Sequence, residues 1–195
     1  MSNITVSAPG KCILFGEHAV VYGQPAVAVA IDQRITVKIQ VSQTGTWLLD
    51  GNRLDMNRNP HICALIEKLW PAEMGAPPLS IQLESNIPRS SGLGSSAALS
   101  VAFAGALRLA RGRWITKQGS TETRYWAEGF CSDMTTTNPY DSSDGFCVNL
   151  PTDELFHVAG APAVDDDENA ILAHSVEAAA QNGRASPIDS STCSH

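Results

Sequence analysis

"PRSSGLGSSAALS", residues 88–100, sets Gly92 and Gly94 among Ser90, Ser91, Ser95 and Ser96, directly before a run of apolar residues. Glycine lacks a Cβ, so the backbone here can bend sharply and come close to a ligand. Ser95 and Ser96 then fall in the N-cap region of the following helix, whose first N–H groups have no partner within it. Free N–H donors at the positive end of a helix dipole make an anion site. No Lys-Ser/Thr pair follows the second glycine, so this is not a Walker A loop. A turn that only caps the helix explains the stretch as well, and its neighbours have to decide.

Working outward, Ser95 to Ala110 is apolar almost all round and predicts a helix buried on most sides. "LSIQLES" (79–85) alternates as a strand, as do "ITVKIQV" (35–41) and "ITVSA" (4–8). "TWLLDGNRL" (46–54) reads as a hairpin turning on Asp50-Gly51. "PHICALIEKLW" (60–70) puts Ile62, Leu65, Ile66 and Leu69 at helical spacing, with Asn59 suited to the N-cap and Pro60 to the first turn. "DDDENAILAHSVEAAAQNG" (165–183) predicts a further helix, acidic at its start and stopped by Gly183. This order implies an α+β, two-layer domain. Residues 112–163 keep neither period and read as an irregular insertion or lid.

The 195 residues carry a net charge of −7, with 43% hydrophobic and 17% charged residues, an ordinary globular composition. The acidity is local: residues 114–168 hold eleven acids against Lys117 and Arg124, whereas the rest holds nine acids and eleven bases. No basic block points to nucleic acid, and no apolar run is long enough for a membrane span. Five cysteines without a CxxC pair fit a reducing, cytoplasmic setting and argue against zinc. The N-terminus does not read as a signal peptide.

Two further stretches accompany the glycine loop. "APGKCILFGEHAVVYG" (8–23) puts Lys11 directly after a Pro-Gly turn and Glu17-His18 after a short apolar run. "GRASPIDSSTCSH" (183–195) puts Asp189 in a Gly/Ser/Pro loop just after a helix. Singly, Lys11 reads as a surface lysine, Asp189 as a loop residue and His18 as a partly buried histidine. Together, a lysine, an aspartate and a phosphate-type loop are the parts of a phosphoryl transferase, which works chiefly by positioning and charge stabilisation.

These three stretches resemble the GHMP family of small-molecule kinases, and within it the mevalonate kinases of the archaeal type. The likeness covers roughly residues 4–111 and 165–195. It implies the two-layer fold of ribosomal protein S5 domain 2, with ATP and Mg²⁺ as cofactors and the primary hydroxyl of mevalonate as acceptor. By this resemblance Asp189 would be the base and Lys11 would hold its charge and stabilise the developing alkoxide. Ser90, Ser91, Gly92, Leu93, Gly94, Ser95 and Ser96 would wrap the triphosphate, and Ser85 would contact nucleotide phosphate. Ser96 and Glu177 would be ligands to Mg²⁺, and Glu17 and His18 would face the substrate.

Two departures accompany the likeness. Residues 112–163 resemble no part of the family. The chain also stops at His195, where the family continues into a further strand pair and a C-terminal lobe. One reading is therefore a mevalonate kinase in N-terminal-domain form. The other is a non-catalytic remnant that binds nucleotide weakly, and homoserine kinase shares the same scaffold. Apolar surface meant for a second lobe would favour self-association or a homodimer.

Overall fold

The computed structural model describes residues 4–16, 22, 24–70, 77–88, 91–117, 147–149, 166–180 and 185–195. Among them, strands β1 (Ile4–Phe15), β2 (Val27–Val41), β3 (Leu48–Leu49) and β4 (Asn52–Arg53) precede helix α1 (Pro60–Leu69). There follow β5 (Leu79–Ser85), α2 (Ser95–Lys117), β6 (Cys147–Asn149), α3 (Asp166–Ala180) and α4 (Pro187–Ser194). The strands form one sheet in the order β4-β3-β5-β2-β1-β6.

The central register follows from the alternation in the sequence. Ile4, Val6 and Ala8 of β1 stand opposite Ile39, Val37 and Ile35 of β2. Ile39 and Val41 in turn face Ile81 and Leu79 of β5. Apolar side chains thus share one face across three strands, while Gln40, Gln82 and Glu84 on the other face are exposed. Against the apolar face lies α2, whose side chains from Val101 to Ala104 are wholly buried, as are Leu107 and Ala97. Its all-round apolar character has a physical reason: α2 packs on β1 and β2 and is flanked by α1, α3 and α4. The fold is α+β in two layers, helices on one side of the sheet.

The β3–β4 turn has positive φ at both Asp50 (49°) and Gly51 (80°), the pair of angles a two-residue hairpin of this kind requires. Its tip is anchored to β5 by the Leu83 N–H donating to Asp50 Oδ1 at 2.9 Å.

Several sequence expectations are corrected. Pro9-Gly10 forms no turn: β1 runs through it to Phe15, with a register shift between Pro9 and Lys11. Asp189 does not lie in a loop but in the first turn of α4, with Ser186 as N-cap and Pro187 at the first position. Asn59 holds the N-cap position of α1 but makes no side-chain capping bond; its amide donates to Asp55 O instead, at 2.9 Å. Residues 112–117 continue α2, and Cys147–Asn149 adds an edge strand to β1. The rest of 112–163, and Gly183, lie outside the described residues.

Candidate active site

The shift in β1 brings the strand against the glycine loop. The Lys11 N–H donates to Leu93 O at 2.9 Å, tying strand and loop by their backbones. The Lys11 side chain then crosses directly over Gly94. A Cβ built on Gly94 would lie 2.6 Å from Lys11 Cγ and 3.2 Å from Cε, so this position has to be glycine for the lysine to pass. Lys11 Nζ reaches Asp189 Oδ1 at 2.9 Å, with the two side chains 7% and 25% exposed. Asp189 sits in the first turn of α4, where the helix dipole favours a carboxylate.

The loop has two sides. Gly94 (φ +71) faces Lys11, whereas around Gly92 (φ +73) nothing lies within 4 Å of an added Cβ. Gly94 O accepts the first helical bond from the Ala98 N–H at 2.9 Å, so Ser95 and Ser96 open α2. Their N–H groups are among those a helix start leaves unpaired internally. The Ser91 hydroxyl donates to Pro88 O at 2.7 Å.

Behind the loop lies Glu177 of α3, 3% exposed. The Ser96 hydroxyl donates to its Oε1 at 2.7 Å, and the Ser190 hydroxyl of α4 donates to its Oε2 at 2.8 Å. Among the described residues no cation forms an ion pair with this carboxylate. A buried anion without a counter-charge is costly, and two hydroxyl donors offset only part of that cost. Cys193 of α4 is buried within reach of the charges of Lys11, Asp189 and Glu177. Its thiol is pushed up to about 12, by burial first and then by the Asp189 and Glu177 carboxylates, with Lys11 opposing. On the far side, His61 of α1 is lowered by burial, an effect the charge of Glu177 partly offsets.

Of the residues singled out in the sequence, the structure brings Lys11, Leu93, Gly94 and Asp189 together, and Ser96 together with Glu177. Ser85 ends β5, and its hydroxyl accepts the Ile87 N–H at 3.2 Å, a local contact. Glu17, His18 and Ser90 lie outside the described residues. The sequence reading missed Ser190, Gly10 and Cys193, because each acquires its place only when α4 or β1 packs on the loop.

The family described as GHMP kinases N terminal domain matches residues 61–135, so the likeness runs past residue 111 and corrects the expectation that all of 112–163 lies outside it. The chain is similar to the mevalonate kinase of Methanothermobacter thermautotrophicus, 46% identical over 112 residues that cover 56% of this chain and 37% of that protein. It is also similar to the mevalonate kinase of Archaeoglobus fulgidus, 45% identical over 103 residues, covering 52% of this chain and 36% of that protein. In three dimensions it resembles the Methanococcus jannaschii mevalonate kinase, with TM-score 0.59 and 26% identity over 97% of this chain and 50% of that one. The chain thus spans well under two thirds of the length of the relatives it matches.

Proposed function

We propose, from the premise that this chain belongs with the GHMP kinases through their N-terminal domain, that it serves ATP- and Mg²⁺-dependent phosphorylation of the primary hydroxyl of mevalonate, giving 5-phosphomevalonate. The observation that carries the reading is the Lys11 Nζ to Asp189 Oδ1 pair at 2.9 Å, seated beside a glycine loop that opens a buried helix. The names of the relatives support the choice of acceptor.

In this reading Asp189 accepts the proton of the attacking hydroxyl, and the Lys11 ammonium stabilises the oxygen that loses it. Removing the proton in step with attack makes the alcohol a competent nucleophile, the usual contribution of a positioned base. The N–H groups at the start of α2 hold phosphate oxygens on the open side of Gly92, where donors fixed in advance act on charge without reorganising. Glu17 and His18 follow β1 and would face the acceptor.

The residues present fit a magnesium ion. Ser96 Oγ and Glu177 Oε1 are 2.7 Å apart, close to the ~2.9 Å separating neighbouring ligands of an octahedron with Mg–O bonds of ~2.05 Å. Magnesium takes one or two protein oxygens and completes its shell with water and phosphate. When bound, Mg²⁺ supplies charge neutralisation for the transferring phosphate.

The test is ADP release by the purified chain with mevalonate, homoserine or galactose as acceptor. Release with mevalonate alone, reduced by roughly 10²–10⁴ in kcat on Asp189→Asn, is the expected result. Preference for another acceptor, or turnover indifferent to Asp189→Asn, would refute the reading.

A further inference from the structure

We infer that Ser190 is a positioning residue for the metal carboxylate: its hydroxyl fixes Glu177 so that Oε1 stays beside Ser96. The inference rests on the magnesium reading given above and extends it to a residue of α4, outside the glycine loop.

Ser190 is wholly buried, and its hydroxyl donates to Glu177 Oε2 at 2.8 Å. Glu177 is itself 3% exposed, and its other oxygen takes the Ser96 hydroxyl at 2.7 Å. A glutamate carboxylate turns freely about its last bond unless something holds it. One donor on each oxygen, from two different helices, fixes its plane. Of the two donors, Ser96 is the one a metal ion would recruit as a ligand, and its hydroxyl proton must then turn away from the shared cation. Ser190 lies on the other oxygen and keeps its grip whether or not the ion is bound. Partners of this kind orient a ligand and set its affinity without touching the metal.

The position of Ser190 adds a second consequence. It directly follows Asp189, whose carboxylate meets Lys11 at 2.9 Å. One turn of α4 therefore sets both the base and the metal carboxylate, and neither can shift without the other. Coupling the two sites is a task that a hydroxyl buried only for packing would not perform.

The experiment is calorimetric titration of the full chain with a non-hydrolysable ATP analogue, once in EDTA and once with Mg²⁺. In the unaltered chain Mg²⁺ should tighten binding. Ser190→Ala should weaken the Mg²⁺-supported affinity by about 10–100-fold and leave the EDTA affinity unchanged. Ser190→Thr should retain the Mg²⁺ effect, while Ser190→Val, equal to threonine in shape but without the hydroxyl, should lose it. This second pair keeps the test decisive if alanine harms folding. In a Glu177→Gln background Ser190→Ala should add nothing, since the two act as one unit. Equal weakening with and without Mg²⁺, a retained Mg²⁺ effect in Ser190→Val, or full additivity would each overturn the inference. If Mg²⁺ has no effect on the unaltered chain, the functional reading itself fails, a result distinct from failure at Ser190 alone.

Discussion

At Gly94 a side chain adds to the backbone's reason for glycine, a φ of +71. Lys11 lies where a Cβ would be, 2.6 Å from its Cγ, so any larger residue there would dislodge the lysine from Asp189. Gly92 has no such neighbour; its backbone alone, at φ +73, explains the residue. The two glycines of one motif thus do different work, which spacing in the sequence does not reveal. Cys193 reports the charges assembled around it. Its thiol is raised from 9.0 to about 12, so between those values the unfolded chain releases a proton that the folded chain retains. The native state then holds more protons, and stability falls as pH rises from 9 towards 12; below 9 both states carry S–H and the group contributes no slope. The slope in that window approaches about 1.4 kcal/mol per pH unit. Cys193→Ala should make the alkaline loss of stability shallower in denaturant melts between roughly pH 8.5 and 10.5. An unchanged slope would mean that the fold tolerates a thiolate there.

Among the elements, β1 shows what a sequence displays and what it conceals. Ile4, Val6 and Ala8 alternate because one face is buried and the other is not, so the first half of the strand was legible. From Pro9 to Phe15 the pattern is broken by the register shift, and Pro9-Gly10 carries the signature of a turn while lying in extended strand. Gly10 is there for closeness: a Cβ would fall 2.8 Å from Leu93 O and 3.0 Å from Ile87 Cδ1. Gly10→Ala should therefore push the glycine loop off β1, break the Lys11 N–H to Leu93 O bond, and cost about 1–3 kcal/mol. Nucleotide affinity should fall with it. Gly45→Ala, where nothing lies within 4 Å, should cost about 1 kcal/mol through its positive φ and leave nucleotide affinity alone. Urea melts and titrations of both variants check this, and Gly10→Ala binding nucleotide like the unaltered chain would show that the loop does not depend on β1. Helix α2 and the Asp50-Gly51 turn were legible for opposite reasons, one from uniform burial and one from a backbone angle. Helix α4 was not legible. Its buried side chains are Ser190, Cys193 and Ser194, so it has no apolar stripe for periodicity to find. Lys11 and Asp189 could be paired from the sequence only through family likeness, and Ser190 could not be singled out, since its partner sits thirteen residues earlier on another helix.

Across the whole molecule the site exists only in the folded chain, because Lys11, Ser96, Glu177 and Asp189 come from four separate elements, β1, α2, α3 and α4. An anionic ligand approaches a protein of net charge −7, yet the excess acidity is concentrated in residues 114–168. Around the glycine loop Lys11 is already paired with Asp189 and Glu177 adds a buried carboxylate, so an anionic ligand relies on the N–H donors at the start of α2 and on a cation bound with it. A ligand that binds the native state alone raises its stability by RT ln(1 + [L]/Kd), about 2.7 kcal/mol at a hundredfold excess over Kd. For a chain of this size each kcal/mol moves the melting temperature by about 2–4 °C, so saturating Mg²⁺ and ATP together should raise Tm by roughly 5–10 °C. ATP in EDTA should give a smaller shift, because Glu177 then has no cation to neutralise it. If the proposed acceptor is right, mevalonate should add a further increment on top of Mg²⁺ and ATP, since each ligand that binds only the native state adds its own term. Inorganic phosphate at the same ionic strength controls for a simple anion effect at the helix start. A Tm that moves equally with phosphate and with Mg²⁺ and ATP would reduce the loop to a general anion site. A Tm that does not move at all would leave the fold standing and remove nucleotide from the reading.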